Sequence, residues 1–238
     1  MNILSIGNSF SQDGTRYLHK IAKADGVNLT SINVHIGGCS LFRHFKNMKG
    51  DLKAYNLAMN GEDTCFTVTM KEALISREWD VVTIQQVSQL SPKYETFMPY
   101  LSELCEYIRE HAPKAKIYLQ QTWAYENGSK RLCEELKYET HEQMFKDVEA
   151  SYKKAAEEVH ADGIIPSGAM FESLLHNGIE KVHRDTFHAS LGLGRYALGL
   201  LWYRTLTGNS VLNNSFCDFD EPVSEKEIEI VKSCVEKF

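Results

Sequence analysis

Short apolar runs alternate with longer amphipathic ones along almost the whole chain, and few folds accept that alternation. Asn2–Ile6, Asn28–Ile36, Asp80–Gln85, Lys116–Gln120 and Gly163–Ile165 are strand candidates. Asp80–Gln85 is nearly continuous in apolar and β-branched residues, as a strand covered on both faces must be. Gly14–Ala24, Phe97–Glu110 and Tyr138–His160 carry apolar residues at helical spacing, and Ala189–Thr205 and Lys226–Val235 supply closing helices. Strands regularly separated by helices predict an α/β domain with a mainly parallel, five-stranded sheet in three α/β/α layers. No compositional break divides residues 1–238, so one domain is expected. Two stretches interrupt the pattern. Tyr55–Met70 reads as a hairpin around Asn60-Gly61, and Thr122–Lys137 as an irregular loop beside the strand ends.

The chain's 238 residues are 43% hydrophobic, enough for one sizeable core. A net charge of -6 without a basic cluster argues against nucleic acid as a partner. No stretch has the length of a membrane span, so no membrane partner is expected. The six cysteines form no C-x-x-C pair and read as free thiols of a reducing compartment. Met1 leads directly into a strand-like run with no signal-like apolar segment. A cytoplasmic protein is expected, although a chain whose secretion signal had been removed would read the same.

In an open parallel sheet, ligands bind beyond the carboxyl ends of the strands. Here the segments leaving those ends are rich in Gly, Ser, Gln, Asn and aromatic residues. The first strand runs into Gly7-Asn8-Ser9, which puts a small hydroxyl at the rim. Far downstream, Asp185-Thr186-Phe187-His188 places a carboxylate three residues before an imidazole. Serine is a weak nucleophile unless an imidazole takes its proton and a carboxylate orients that imidazole. Two other readings of these residues are open. Asn8, Ser11 or Asp13 can cap a helix, and His183-x-Asp185-x-x-His188 contains metal-ligand types, but no third ligand has a clear spacing. His141-Glu142 lacks the second histidine of H-E-x-x-H.

These motifs resemble the SGNH/GDSL hydrolase superfamily, serine esterases and acylhydrolases on a flavodoxin-like fold. Gly7-Asn8-Ser9 matches the nucleophile block, with Asn8 where aspartate is usual. Ile36-Gly37-Gly38-Cys39-Ser40 is similar to the block whose glycine amide joins the oxyanion hole, with Gly38 the better match. Asp185 and His188 match the closing Asp-x-x-His. The resemblance spans nearly the whole domain in the expected order. One block departs: where the superfamily has Gly-x-Asn-Asp, this chain has Gln85-Gln86-Val87-Ser88-Gln89.

The resemblance implies Ser9, His188 and Asp185 as catalytic residues, with the amides of Ser9 and Gly38 in the oxyanion hole. Gln85, Ser88 and Gln89 are the alternatives for the third donor, since each carries an N–H or O–H. Asn8, Gln121, Trp123 and Tyr125 are expected at the substrate-binding rim. The polar and aromatic character of that rim suggests a small acyl ester, an acetylated carbohydrate being the first choice. No metal and no organic cofactor is required. The alternative is a non-catalytic carbohydrate- or small-molecule-binding module on a decayed hydrolase fold, motivated by the missing asparagine.

Overall fold

The computed structural model describes residues 1–238. In chain order the elements are β1 (Asn2–Gly7), α1 (Ser9–Thr15), α2 (Leu18–Ala24), β2 (Thr30–His35) and α3 (Leu41–Lys49). There follow β3 (Tyr55–Met59), β4 (Glu62–Val68), α4 (Met70–Ile75), β5 (Val81–Ile84), α5 (Tyr100–His111) and β6 (Lys116–Gln120). The last are α6 (His141–Glu158), β7 (Gly163–Ile165), α7 (Ser167–His176), α8 (Leu193–Thr207) and α9 (Glu225–Val235).

One seven-stranded sheet runs β4-β3-β2-β1-β5-β6-β7. Its five parallel strands are the five expected from the sequence, in the order β2-β1-β5-β6-β7. The two further strands correct the five-strand count: the Tyr55–Met70 segment joins the sheet antiparallel to β2. Asn60 and Gly61 form a two-residue turn with positive φ at both positions, 54° and 87°, the geometry favoured for hairpins. β4 is an edge strand, and Glu62 and Asp63 at its start put charge on that edge.

β1 sits at the centre because both of its faces are apolar: Ile3, Leu4 and Ile6 are at most 1% exposed. Its buried Ser5 hydroxyl is satisfied across the sheet by Thr83 Oγ1, at 3.0 Å. Helices α1, α2, α7, α8 and α9 form one mutually packed layer, and α3, α4 and α5 another. That arrangement follows from right-handed crossovers in opposite directions from β1. The chain reverses direction across the sheet between β1 and β5, which opens a crevice at their carboxyl ends. No helix is long and apolar enough to cross a membrane, and all six cysteines are unpaired.

The helices differ from the sequence expectation in three ways. The single helix expected over Gly14–Ala24 is two, α1 and α2, and α1 begins at Ser9 because Asn8 caps it. The break falls at Arg16 and Tyr17, whose side chains reach Asp220, Gly61 and Leu191 elsewhere in the fold. Helices α3, α4 and α7 were not anticipated, although Thr69 and Glu72 form a capping box that starts α4. α8 begins at Leu193 rather than Ala189, because Ala189 instead forms an isolated bridge with His183.

Gly61 is the turn position least able to accept a side chain. Its φ is +87°, and a Cβ there would lie 2.1 Å from the Arg16 carbonyl oxygen. Gly61→Ala is expected to lower stability by at least about 1 kcal/mol, seen as a fall in the urea midpoint at unchanged m-value.

Candidate active site

Ser9, the first residue of α1, stands at the carboxyl end of β1. As a first helical residue, its amide has no carbonyl one turn back in its own helix. The Asn8 side chain creates this geometry. Its Oδ1 accepts from the Phe10 amide at 3.0 Å and from Gln85 Nε2 at 2.7 Å, and its Nδ2 donates to the Cys39 carbonyl at 3.0 Å. Asn8 therefore ties the serine turn to β5 on one side and to the Gly37-Gly38 loop on the other. Its amide is engaged within the protein, although the residue contributes to the cleft wall. An aspartate here would have no donor for the Cys39 carbonyl, which gives Asn8 a physical reason.

Gly37 and Gly38 are the central residues of a turn closed by the Cys39 amide donating to the Ile36 carbonyl at 3.1 Å. Gly38 has φ +61°, which turns its amide out of the ladder. That amide has no partner within the protein and lies in the wall of the same cleft as Ser9.

Asp185 and His188 lie on a small loop closed by the His183–Ala189 bridge and by the Arg184 amide donating to the His188 carbonyl. Asp185 Oδ1 accepts the His188 amide at 2.9 Å, and Oδ2 bonds Nδ1 of the same residue at 2.8 Å. His188 Nε2 then lies 2.8 Å from Ser9 Oγ. Partial burial raises the Asp185 pKa, but the hydrogen bonds from the His188 ring and amide outweigh it and hold the carboxylate below its usual range. The carboxylate is thus ionised at neutral pH and favours a proton on Nδ1, leaving Nε2 to accept from the serine hydroxyl.

The cleft around these groups is about 340 Å³ and includes Gly38, Ser88, Gln89, Arg131 and Phe187. Among the three alternatives for the third donor, Ser88 and Gln89 line it. Gln85 does not: it is buried and its Nε2 is bonded to Asn8. The Ser88 hydroxyl shares a 2.8 Å hydrogen bond with the Tyr125 hydroxyl, whereas Gln89 is exposed.

Three residues expected at the rim lie beneath it instead. Gln121 is buried, its Oε1 accepting the Gly168 and Ala169 amides at the start of α7. Trp123 is fully buried, stacked on Phe10 with ring centroids 4.0 Å apart, and its Nε1 donates to the Phe187 carbonyl. Tyr125 is buried against Ser88 and the edge of Phe187. The Glu126 amide adds a bond to the Thr186 carbonyl. The segment is a scaffold for the histidine loop rather than a wall of the cleft, because burying these rings removes more apolar area than the rim allows. A second cavity of about 280 Å³ includes Tyr125, His141 and His183 but none of Ser9, Asp185 and His188. There His183 is buried and bonded to the Ala124 carbonyl, apart from the Asp185–His188 pair.

Sequence reasoning missed the groups that hold the two ends together. Asp13 lies one turn beyond Ser9 on α1, with its side chain 1% exposed. Its carboxylate accepts from Arg184 Nη1 at 3.0 Å, from Arg195 Nε at 2.9 Å and from the Ala189 amide at 3.2 Å. The residue after His188 is thereby fastened to the helix that carries Ser9. The i, i+4 spacing of Ser9 and Asp13 was the available signal. Arg131 and Phe187, also in the cleft wall, stood in segments with no readable period.

Removing one partner of a buried ion pair leaves uncompensated charge. Asp13→Ala is expected to cost about 3 kcal/mol or more of unfolding free energy, measured by urea denaturation. An exposed-site control, Glu110→Ala, should change it by less than about 0.5 kcal/mol.

Residues 2–237 match the family described as Domain of unknown function (DUF4886). The chain is similar to a DUF4886 family protein from Bacteroides uniformis ATCC 8492, with 31% identity and a TM-score of 0.92, covering 100% of this chain and 93% of that one. It also resembles a candidate SGNH hydrolase from Slackia heliotrinireducens (20% identity, TM-score 0.63, 87% of this chain and 98% of that one). A candidate GDSL-like lipase from Parabacteroides merdae ATCC 43184 superposes with TM-score 0.59 at 17% identity, over 87% of this chain and 95% of that one. No curated protein matches the chain in sequence. The chain belongs to the DUF4886 family, and its fold is that of the SGNH/GDSL hydrolases.

Proposed function

We propose that this protein is a serine esterase acting on small acyl esters through an acyl-enzyme intermediate. The observation that carries this reading is the continuous chain Ser9 Oγ–His188 Nε2–His188 Nδ1–Asp185 Oδ2, with both links at 2.8 Å. Serine and histidine come from opposite ends of the sequence, and a chance cap or core histidine does not require their convergence.

The chemistry follows from the geometry. Ser9 Oγ attacks the ester carbonyl carbon as its proton passes to His188 Nε2. The imidazolium is stabilised by the Asp185 carboxylate on Nδ1. Negative charge develops on the former carbonyl oxygen, toward the Gly38 and Ser9 amides, with Ser88 or Gln89 as the third donor. Collapse breaks the bond to the alkoxy oxygen, and His188 returns the proton to the leaving alcohol. Water, deprotonated by the same imidazole, then attacks the acyl-enzyme and releases the acid and Ser9. No residue here requires a metal or an organic cofactor for these steps.

The 340 Å³ cleft fits a short acyl group and the neighbouring part of an alcohol. An acetylated carbohydrate would need Gln121, Trp123 and Tyr125 as a stacking rim. With all three buried, the substrate class is better sought among the side chains that do face the cleft.

A fluorophosphonate probe should label the wild type and not Ser9→Ala. Turnover of 4-nitrophenyl acetate should fall by up to about six orders of magnitude, to the spontaneous rate, in Ser9→Ala or His188→Ala. If neither protein is labelled and turnover does not depend on Ser9, the esterase reading is wrong and a non-catalytic binding module takes its place.

A further inference from the structure

We propose that Arg131 makes the cleft selective for esters carrying a negative charge, such as a carboxylate, close to the scissile bond. This rests on the serine-esterase reading and adds the substrate class to it.

Arg131 is the only Lys, Arg, Asp or Glu in the cleft wall. It takes part in no ion pair, in contrast to Arg184 and Arg195, which share Asp13. Glu134 and Glu135 follow on the same turn, but both are exposed and neither reaches its guanidinium. A side chain that is merely a solvated surface cation would have no fixed seat. Arg131 is exposed at the cleft mouth but has one: its Cζ lies 3.9 Å from the centroid of the Phe187 ring. That ring in turn packs on the His188 imidazole, with centroids 3.9 Å apart. The guanidinium is therefore one aromatic ring away from the proposed base.

The stacking matters for recognition. A guanidinium lying over a ring uses its face and keeps its N–H donors around the edge. Those donors form a fork that matches a carboxylate in two parallel hydrogen bonds. The backbone supports the seat, because Arg131 begins a single wide turn in which its carbonyl accepts the Leu136 amide at 3.0 Å. The Tyr125 hydroxyl, bonded to Ser88, is close enough to the guanidinium to feel its charge. Phe187 thus seats one unpaired positive charge in a cleft wall that holds no permanent negative charge.

The test compares matched esters that differ in charge. On the acyl side these are 4-nitrophenyl hydrogen succinate and 4-nitrophenyl butyrate; on the alcohol side, 4-acetoxybenzoate and its methyl ester. All rates are taken over the Ser9→Ala background, which removes the spontaneous reaction. Wild-type kcat/KM should favour the anionic member of at least one pair by about tenfold to a hundredfold, the usual value of a hydrogen-bonded charge. The pair that shows the preference identifies which side of the ester meets Arg131. Arg131→Gln should reduce that ratio at least tenfold, Arg131→Lys should retain part of it, and added salt should reduce it in the wild type alone.

If Arg131→Gln slows both members of each pair equally, Arg131 only braces Phe187 and the proposal is overturned with the esterase reading intact. A wild type that shows no anionic preference overturns it as well. If no ester is turned over and no fluorophosphonate label forms, the esterase reading fails by itself. The anion site is then decided by titration calorimetry with benzyl hydrogen succinate. Binding to wild type but not to Arg131→Gln supports the site, and no binding to wild type ends it.

Discussion

Asp13 ties the two ends of the chain to each other. Its buried carboxylate lies between Arg184 and Arg195 and also accepts the amide of Ala189. A carboxylate in an apolar interior is costly unless opposite charge and hydrogen bonds surround it. Here both arginines come from the region around the histidine loop, so satisfying the charge and docking that loop are the same event. Arg195 and Arg16 continue the network to Asp220, whose carboxyl is held down at about 2, chiefly by its hydrogen bond with Arg16. The 2.8 Å contact between Ser9 and His188 depends on this anchor, because the two residues share no secondary structure.

Around Ser9 the polar groups are organised by Asn8. One amide joins the start of α1, the end of β5 and the Gly38 turn. The departure in the third block also has a physical context. Gln85 occupies the strand end and is used to brace Asn8, so the residues left facing the cleft from that block are Val87, Ser88 and Gln89. The block supports the Ser9 turn from below while its later residues reach the open side.

A second support comes from residues 123–126. Trp123 and the Glu126 amide bond the carbonyls of Phe187 and Thr186, and Tyr125 packs on the Phe187 edge. Thr186 is held at φ +75°, a conformation that a β-branched residue avoids without external constraint. The histidine loop is therefore gripped on one side by Asp13 and on the other by this segment. Phe187, half-buried between them, offers its face to Arg131.

Local pattern was enough for much of the fold. The five parallel strands read directly from their apolar runs, and the hairpin from Asn60-Gly61, because positive φ at two adjacent residues needs those residue types. The meeting of Asp185 and His188 was also legible, since the Asp-x-x-His spacing closes its own turn, and the structure brings Ser9 to the same imidazole. Other features had no local signature. Which of Asn8, Ser11 and Asp13 caps α1 depends on what surrounds them: Asn8 takes the cap, and Asp13 turns inward to two arginines 171 and 182 residues away. Trp123 and Tyr125 were expected outside and lie inside, and Arg131 emerged from a segment with no periodicity. Residue type and short-range spacing specify strands, turns and the kinds of groups a site can hold. The direction a loop side chain faces is set by partners distant in sequence, and those are brought together only when the sheet and its two helical layers close.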